Sequence, residues 1–437
     1  MPLRDNPQPV SEPPVPPRSL DQWLDYQQSV HPRTIALGLD RVRAVAARLG
    51  LTRPAPRVIT VGGTNGKGST VAFCDAIARA AGLRVGCYTS PHLLRYNERV
   101  RIHGIEVEDA ALIDAFERIE AARGEIALTY FEFGTLAALL IFEAQALDLA
   151  VLEVGLGGRL DAVNLVDADV AVVTTVDLDH QDYLGPDREA IGREKAGIFR
   201  AGRVAVIGEA DPPRGLVQHA EAIGAVLRRL DGYFRFAGAG DGAWHYQDAG
   251  GELVLPTPQH LVAPCQLANA AAAICALRAA NLPIAATAFA NGVAAARVPG
   301  RLQRIGERPV IIVDVAHNPQ AARVLANWLR MQPRAGRNLA VFAALADKAI
   351  EDIVAPLAPW IDVWALAELR DAGPRALPVT ELAQRVARGA PQAAMTSYAD
   401  VPTALAATRV MAAPDDRILV FGSFYTVAAA LAASPNA

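Results

Sequence analysis

One glycine-rich stretch, lying between a β-branched run and an amphipathic run, constrains the fold of this chain more than any other feature. Residues 57–61 (RVITV) predict a short buried strand, residues 62–70 read GGTNGKGST, and residues 69–81 predict a helix that ends at Gly82. A turn of this kind presents backbone N–H groups and the positive end of a helix to an anion. Lys67 adds a mobile positive charge, and Ser69 or Thr70 adds a hydroxyl that suits Mg²⁺. The stretch therefore predicts a phosphate-binding loop.

The spacing of this loop differs from the standard phosphate-loop pattern. Counting back from Gly66 and Lys67, the first glycine is expected at position 61, where the chain has Val61, and Gly68 precedes the hydroxyl residues. A flexible glycine-rich turn that binds nothing is the alternative. The preceding strand, the lysine and the hydroxyls together favour the phosphate site.

Length and composition indicate a globular protein of more than one domain. A chain of 437 residues exceeds the usual size of one domain, so two or three are expected. Hydrophobic residues make up 52% and charged residues 20%, which suits a large core. A net charge of −4 gives no electrostatic footprint for nucleic acid or for an anionic membrane. No apolar run is long enough to predict a transmembrane helix.

Cysteine usage and the amino-terminal composition indicate a cytoplasmic protein. The first twenty residues hold seven prolines and no apolar segment, so residues 1–18 are predicted to be a disordered tail and not a signal peptide. The four cysteines lack CxxC spacing. Cys74 and Cys275 lie on apolar helical segments, which favours buried thiols over disulfides or metal ligands.

Strand-like and helical runs alternate along the chain, which predicts an α/β fold with mostly parallel sheets covered on both faces. Further strands are expected at 83–89, 149–154, 170–176 and 204–207, and helices at 110–122 and 131–146. The aromatic, glycine-rich segment 233–257 predicts a β-hairpin region at the edge of the sheet. A second series of strands is expected at 310–314, 339–344, 361–366 and 418–421, after two alanine-rich helices (268–280 and 285–296) and a linker at Pro299 and Gly300.

Polar residues end several of these strands, where open α/β sheets bind ligands. Ser90 follows the second strand and offers a hydroxyl to Mg²⁺. Glu153 ends the apolar strand LAVLEV, and a buried carboxylate there needs a metal ion or a cationic partner. A salt bridge to Arg159 is the alternative. His180 ends the next strand and suggests a second metal site.

Candidate residues in the second half follow the strand at 310–314. Asp314 and His317 could reach across a cleft toward the nucleotide, and Arg301 at the linker suits a hinge or a phosphate contact. The alternatives are a helix N-cap for Asp314 or Asn318 and a surface position for the arginine. For Lys195, in the segment REKAGI, the residues alone predict a solvated helix face.

Taken together, the motifs resemble the Mur-ligase-like ATP-dependent amide ligases, and among them the bifunctional dihydrofolate synthase/folylpolyglutamate synthases. The resemblance runs from about residue 19 to residue 427 and rests on HPRTIALGLDRV, GGTNGKGST, YTSPHLLRYNERV, LTYFEFGTLAA, LEVGLGGRLDAVN, LDHQDYLGPDREAIGREKAGIFR, PGRLQ, DVAHNP and FGSFYTV. LTYFEFGT and EVGLGGRLDA favour folate ligases over peptidoglycan ligases.

The resemblance implies an N-terminal P-loop ATPase domain (19–298) with a mostly parallel sheet, and a smaller C-terminal Rossmann-like domain (299–437), with the site between them. It implies that ATP phosphorylates a substrate carboxylate and that the amine of L-glutamate attacks the acyl phosphate. The substrates would be dihydropteroate and tetrahydrofolates, and the protein a cytoplasmic monomer without nucleic-acid or membrane partners. A monofunctional folylpolyglutamate synthase and a Mur-type peptidoglycan ligase are the alternatives within the class. A nucleotide-dependent switch is the alternative outside it.

The resemblance also implies residue roles. Lys67, Glu153, His180 and Lys195 would be catalytic, and Lys195 would carry a carboxylate group formed from CO₂. Two Mg²⁺ ions would be held by Ser69, Ser90, Glu153, His180 and Lys195. ATP would be bound by Gly63, Thr64, Asn65, Gly66, Lys67, Gly68, Ser69, Thr70, Asn269, Arg301, Asp314 and His317. The pterin or folate would contact Thr34, Leu37, Thr129, Tyr130, Phe131, Glu132, Leu160, Asp161 and Ala162, with Ala36 standing where close bifunctional relatives carry an acidic residue.

Overall fold

A computed structural model describes residues 18–31, 33, 35–238, 242–258 and 260–434. Residues 1–17 of the proline-rich tail and the predicted substrate residue Thr34 lie outside the described residues. None of the helices in the described ranges combines the length and the apolar character needed to cross a membrane. Cys74 and Cys275 are buried free thiols, which confirms the prediction for both.

The first half of the chain is built on an eight-stranded sheet. Its strands are β1 (Arg57–Gly62), β2 (Val85–Tyr88), β3 (Val100–Ile102), β4 (Ile105–Glu106), β5 (Leu149–Glu153), β6 (Val170–Val173), β7 (Val204–Ile207) and β8 (Val226–Arg229). The order is β4-β3-β2-β5-β1-β6-β7-β8, in which the β2–β3 and β3–β4 pairs are antiparallel and the other pairs are parallel. The central strands β1, β2, β5 and β6 are buried along almost their whole length because helices cover both faces.

Ten helices accompany this sheet in the described residues. They are α1 (Leu20–Val30), α2 (Asp40–Leu49), α3 (Lys67–Ala80), α4 (Asp109–Arg123), α5 (Tyr130–Glu143), α6 (Gln181–Leu184), α7 (Arg188–Ala196), α8 (Arg214–Ala222), α9 (Cys265–Ala279) and α10 (Ala286–Ala295). One apolar cluster joins one sheet face to α1, α2, α4, α5, α7 and α8. A second cluster joins the opposite face to α3, α9 and α10.

The hairpin region predicted at the sheet edge is instead a separate antiparallel sheet. Its strands, β9 (Arg235–Gly238), β10 (Ala243–Asp248) and β11 (Gly251–Pro256), pair in the order β11-β10-β9. Trp244 and Tyr246 are fully buried in the cluster that contains α9 and α10. Burial of this aromatic face against the helices, which local sequence does not show, accounts for the difference.

The second half forms a six-stranded sheet in the order β12-β13-β17-β14-β15-β16, parallel except for β12. Its strands are β12 (Gln303–Glu307), β13 (Val310–Asp314), β14 (Asn338–Phe342), β15 (Val363–Ala367), β16 (Ala394–Tyr398) and β17 (Arg417–Phe421). Its helices are α11 (Pro319–Met331), α12 (Ile350–Val354), α13 (Val379–Gly389), α14 (Val401–Met411) and α15 (Phe424–Ala432). The α/β fold with two mostly parallel sheets is therefore confirmed.

Close packing of α10 on α3 gives a stability prediction. A Cβ at Gly292 would lie 2.3 Å from Ile77 Cα, a backbone atom that cannot move aside by changing rotamer. Alanine normally favours a helix over glycine by about 1 kcal/mol. Here we expect Gly292→Ala to lower the free energy of unfolding by about 1–3 kcal/mol, as overpacking does.

Urea unfolding followed by circular dichroism measures this effect. Gly238→Ala is the control, because a Cβ at Gly238 meets no atom within 4 Å. Stabilisation by Gly292→Ala would contradict the close helix contact.

Candidate active site

The phosphate-type loop has a fixed shape that excludes side chains at two glycines. Gly63 and Gly66 have φ of 143° and 86°. A Cβ would lie 1.9 Å from Thr174 Oγ1 at the first position and 2.4 Å from Asn269 Oδ1 at the second. Helix α3 begins at Lys67, two residues before the predicted start, so its amino-terminal turn faces the loop. This is an ordered anion-binding geometry and not a loose turn.

Lys67 folds back over its own loop. Its Nζ donates to the carbonyl oxygens of Gly63 at 3.0 Å and Thr64 at 3.1 Å. Burial lowers the pKa of Lys67, while the carboxylates of Glu153 and Asp179 oppose that shift. A polyphosphate offers this ammonium group stronger, anionic acceptors at the same loop.

Glu153 lies at the carboxyl end of β5 as a buried carboxylate. It is 4% exposed, and its Oε2 accepts from the backbone N–H of Ser90 at 3.0 Å. Burial raises its pKa, with Lys67 as the main opposing charge. The alternative salt bridge is wrong, because Arg159 pairs with Glu194 at 2.8 Å.

Oxygen donors surround this carboxylate. A Cβ at Gly68 would lie 3.7 Å from both Glu153 oxygens, so glycine keeps the first turn of α3 open toward them. Ser69 is buried on that turn, and the buried Thr70 Oγ1 has no hydrogen-bond partner among the described residues. Hydroxyl and carboxylate oxygens suit Mg²⁺, which uses few protein ligands beside phosphates. Accordingly, the described residues contain no cluster of three His, Cys, Asp or Glu side chains arranged for a metal.

Lys195 is buried, and the expectation of a solvated helix face is wrong. It is 3% exposed and lines the same cavity as Glu153. The last turn of α7 packs under the glycine-rich loop after β5, where the N–H of Arg159 donates to Glu194 O at 2.9 Å. Burial, followed by the charge of Lys67, lowers the pKa of Lys195 to about 7. Its amine is therefore partly neutral at physiological pH.

His180 lies at the start of α6 with φ of 51° and lines the cavity. Burial lowers its pKa to about 4, against the charge of Asp179. A neutral imidazole at pH 7 can offer a ring nitrogen to a cation.

The second half contributes a polar wall to the cavity. Asp314 accepts from the backbone N–H groups of Leu302 and Ala316, each at 2.8 Å, so it caps no helix. Asn318 is the N-cap of α11. The Arg301 guanidinium, whose charge favours ionised Asp314, lies 5.3 Å from the Phe424 ring centroid.

Asp179 joins the two halves, a role that the sequence did not indicate. Its carboxylate accepts from Lys348 Nζ at 2.9 Å and Asn318 Nδ2 at 3.2 Å, and lies 3.7 Å from His317 Nε2. Burial raises the pKa of Asp179, but His317 and Lys348 hold it well below its usual range. Asn65 of the loop also donates to Asn318 Oδ1 at 3.1 Å.

A further wall of the cavity is aromatic and polar and includes Tyr130 and Phe131. Thr129 and Glu132 form a capping box at the start of α5, and Glu132 also pairs with Arg41 at 3.1 Å. These contacts give Glu132 a structural role. Asp161 accepts from the N–H groups of Leu156 at 2.8 Å and Val163 at 3.0 Å, and burial raises its pKa to about 7.

These groups open into one cavity of about 630 Å³ between the two halves. Of the described residues that the sequence placed in the site, Thr70 alone is absent from its lining. The others are Leu37, Gly63, Thr64, Asn65, Gly66, Lys67, Gly68, Ser69, Ser90, Thr129, Tyr130, Phe131, Glu132, Glu153, Leu160, Asp161, Ala162, His180, Lys195, Asn269, Arg301, Asp314 and His317. The lining also includes residues that the sequence did not indicate, among them His92, Arg99, Lys348, Arg375 and Ser423.

Similarity to known proteins agrees with this geometry. Residues 61–228 match the Mur ligase middle domain, and residues 300–424 match the Mur ligase glutamate ligase domain. The dihydrofolate synthase/folylpolyglutamate synthase of Escherichia coli (strain K12) is 48% identical over 410 residues, covering 94% of both chains. Its counterpart from Haemophilus influenzae is 40% identical, covering 94% of this chain and 96% of the relative.

Solved structures show the same likeness. E. coli FolC in complex with DHPP and ADP superposes with a TM-score of 0.90 at 46% identity, covering 95% of this chain and 97% of that one. The bifunctional enzyme of Yersinia pestis complexed with AMPPNP and a Mn ion has a TM-score of 0.88 at 45% identity, covering 97% and 99%. The chain therefore belongs to the dihydrofolate synthase/folylpolyglutamate synthase family of Mur-type ligases.

Proposed function

We propose that this protein is an ATP-dependent ligase that joins L-glutamate to dihydropteroate, giving dihydrofolate, and to reduced folates, giving folylpolyglutamates. The observation that carries the proposal is the single cavity, which combines a phosphate loop, a buried carboxylate, an aromatic wall and cations from the second half. Relatives named for both activities support it. The test is ADP release coupled to amide formation, measured with dihydropteroate and separately with tetrahydrofolate. Absence of product with both acceptors would refute the proposal.

Lys67 and the loop N–H groups bind the phosphates of ATP, and Arg301, Asp314 and Asn269 bind the rest of the nucleotide. Ser69, Ser90 and Glu153 would hold a Mg²⁺ ion, which would neutralise phosphate charge, and His180 with Lys195 would hold a second ion. Phosphoryl transfer needs alignment and charge neutralisation more than covalent help. The acceptor carboxylate attacks the γ-phosphate, ADP leaves, and the amine of glutamate displaces phosphate from the acyl phosphate.

The acceptor lies against the aromatic wall. Tyr130 and Phe131 line the cavity, and a pterin is planar enough to stack on an aromatic ring. A Cβ at Gly155 would lie 2.5 Å from the Phe131 ring, so the absence of a side chain at this residue leaves room for the ring. Asp161 provides a carboxyl group beside the stacking surface for hydrogen bonds to the pterin edge.

L-Glutamate enters from the second half. Lys348, Arg375 and Ser423 line that side of the cavity. Two cations and a hydroxyl suit an amino acid with two carboxylates. Asp179 fixes Lys348, while Arg375 forms two hydrogen bonds with Asp347 at 2.9 and 3.0 Å.

Lys195 fits the expected carboxylation. A neutral amine adds to CO₂, forms a C–N bond and releases one proton, and the lowered pKa of Lys195 supplies that neutral form. The resulting carbamate would replace a buried cation by an anionic oxygen ligand in the cavity that His180 and Glu153 also line. The charge of Lys67 then stabilises the modified side chain.

Glu153→Gln tests the role of the buried carboxylate at the end of β5. The amide keeps the shape but loses the negative charge, so we expect kcat to fall about 100-fold or more, as when a group that stabilises transition-state charge is lost. Glu143→Gln, near the protein surface at the end of α5, is the matched control and should retain activity. Full activity of Glu153→Gln would remove this residue from the metal site.

Arg375→Gln tests the glutamate side of the cavity. Loss of a charge-assisted hydrogen bond should raise KM for L-glutamate about tenfold or more with either acceptor. Arg370→Gln removes the same charge from the same 3₁₀ turn but lies outside the cavity lining, so it serves as the control. An unchanged KM for L-glutamate would place the amino acid elsewhere.

Carboxylation of Lys195 gives a pH-dependent prediction. Acidification below its pKa of about 7 protonates the amine, so at a fixed, limiting CO₂ concentration activity should fall between pH 8 and about 6 and be restored by added bicarbonate, which supplies more CO₂. Lys195→Ala should be inactive and partly rescued by acetate, which replaces the carboxylate oxygens. Two results together would contradict the modification. The activity would be independent of bicarbonate across this pH range, and the native mass spectrum would show no added CO₂.

A further inference from the structure

Arg99 is a buried cation in the cavity wall with no assigned role. It ends the 3₁₀ turn before β3, is 8% exposed, and lines the cavity. Its carbonyl oxygen accepts from the N–H of Thr89 at 2.8 Å, next to the metal candidate Ser90. Arg99 therefore lies between the metal end of the site and the aromatic wall.

The guanidinium of Arg99 has no anionic partner among the residues that the structure describes. Its Nε donates to His92 Nδ1 at 2.9 Å, and its Cζ lies 5.2 and 5.5 Å from the ring centroids of Tyr96 and Tyr130. None of the described residues offers a hydrogen-bond acceptor in contact with its two terminal nitrogens. The neighbouring Glu98 is engaged elsewhere, by the backbone N–H groups of residues 93–95 at 2.7 Å.

A cation in this setting is arranged to receive an anion. Burial of an unpaired charge is costly, and two tyrosine faces offset only part of that cost. His92 accepts from Arg99 through an unprotonated nitrogen, so it contributes no negative charge. The terminal nitrogens present parallel N–H donors, the geometry that a carboxylate accepts in bidentate fashion.

The two acceptors of the proposed function differ by one carboxylate. Dihydropteroate has a single carboxylate, which is the group activated by phosphorylation. The terminal glutamate of a tetrahydrofolate has two, of which one is activated and the other takes no part in the reaction. We propose that Arg99 binds this second, unreactive carboxylate and so determines how well the enzyme uses folates relative to dihydropteroate.

This inference rests on the proposed function and sharpens it by assigning acceptor selectivity to one residue. The incoming L-glutamate has its own cations, Lys348 and Arg375, on the opposite half of the molecule. Arg99 belongs to the first half, beside the ring of Tyr130 against which the acceptor stacks. A carboxylate carried by the acceptor is therefore the anion that reaches it.

Arg99→Gln is the decisive variant, since glutamine keeps hydrogen-bonding capacity and loses the charge. The readout is the ratio of kcat/KM for tetrahydrofolate to kcat/KM for dihydropteroate, measured on one preparation so that any unfolded fraction cancels. We expect this ratio to fall roughly ten- to a hundredfold, the range for a lost charge-assisted hydrogen-bonded pair. Arg95→Gln, which removes an exposed arginine from the same segment, should leave the ratio at the wild-type value.

A modified substrate completes the test as a double-mutant cycle. Tetrahydrofolate whose second carboxylate is a carboxamide should be a poor substrate for the wild-type enzyme, while Arg99→Gln should no longer distinguish it from tetrahydrofolate. An unchanged ratio, or a rise in KM for L-glutamate with both acceptors, would overturn the role of Arg99 and leave the proposed function standing. A wild-type protein inactive with both acceptors would instead refute the proposed function.

Discussion

The carboxylate of Asp179 is the interaction on which the shape of the site depends. It stands at the end of the first sheet and accepts hydrogen bonds from Lys348 and Asn318 of the second half. Because the carboxyl ends of two parallel sheets face each other at this point, the loops that follow their strands line one cavity. This ionised side chain, together with the contact between Asn65 and Asn318, sets the distance between the glycine-rich loop and the part of the cavity wall that the second half contributes.

Several charges in the cavity are buried without a close ion-pair partner among the described residues. Burial raises the pKa of Glu153 and lowers the pKa of Lys67 and of Lys195, because the protein interior makes the charged form of each group less favourable. Phosphates, metal ions and CO₂ are groups that relieve such costs. The empty site is therefore electrostatically unfavourable, and binding of such groups relieves part of that cost.

The sequence predicted much of this site because its chemistry lies at strand ends. Glu153 and Asp314 each end an apolar strand, and an apolar run that ends in a polar residue is visible in one dimension, whereas His180 lies well past the end of β6, at the start of α6. Lys195 could not be predicted in this way, because its burial comes from the packing of α7 under a loop that is distant in the sequence. In the contact that joins the two, Arg159 precedes Glu194 by 35 residues. Only the family resemblance singled it out.

Strand prediction failed where apolar content was low. Strand β16 (AMTSY) lies at the edge of its sheet, largely exposed, and β12 (QRIGE) pairs antiparallel at the other edge. Edge strands need only one bonded neighbour and little burial, so their sequences carry no periodic apolar signal. Likewise, the contacts of Lys348 and Arg99 depend on which loops meet in space, and no local pattern reports that.

The contact between α10 and α3 has a mechanical consequence. Helix α3 carries the phosphate loop at its start, while α10 is the last helix before the linker to the second half. At Gly292 the two helices approach too closely for a side chain, so their backbones are in direct contact. A rotation of the second half about Pro299 and Gly300 would therefore start beside the helix that carries the glycine-rich loop, and the short connection to Arg301 would limit how far its guanidinium moves relative to that loop.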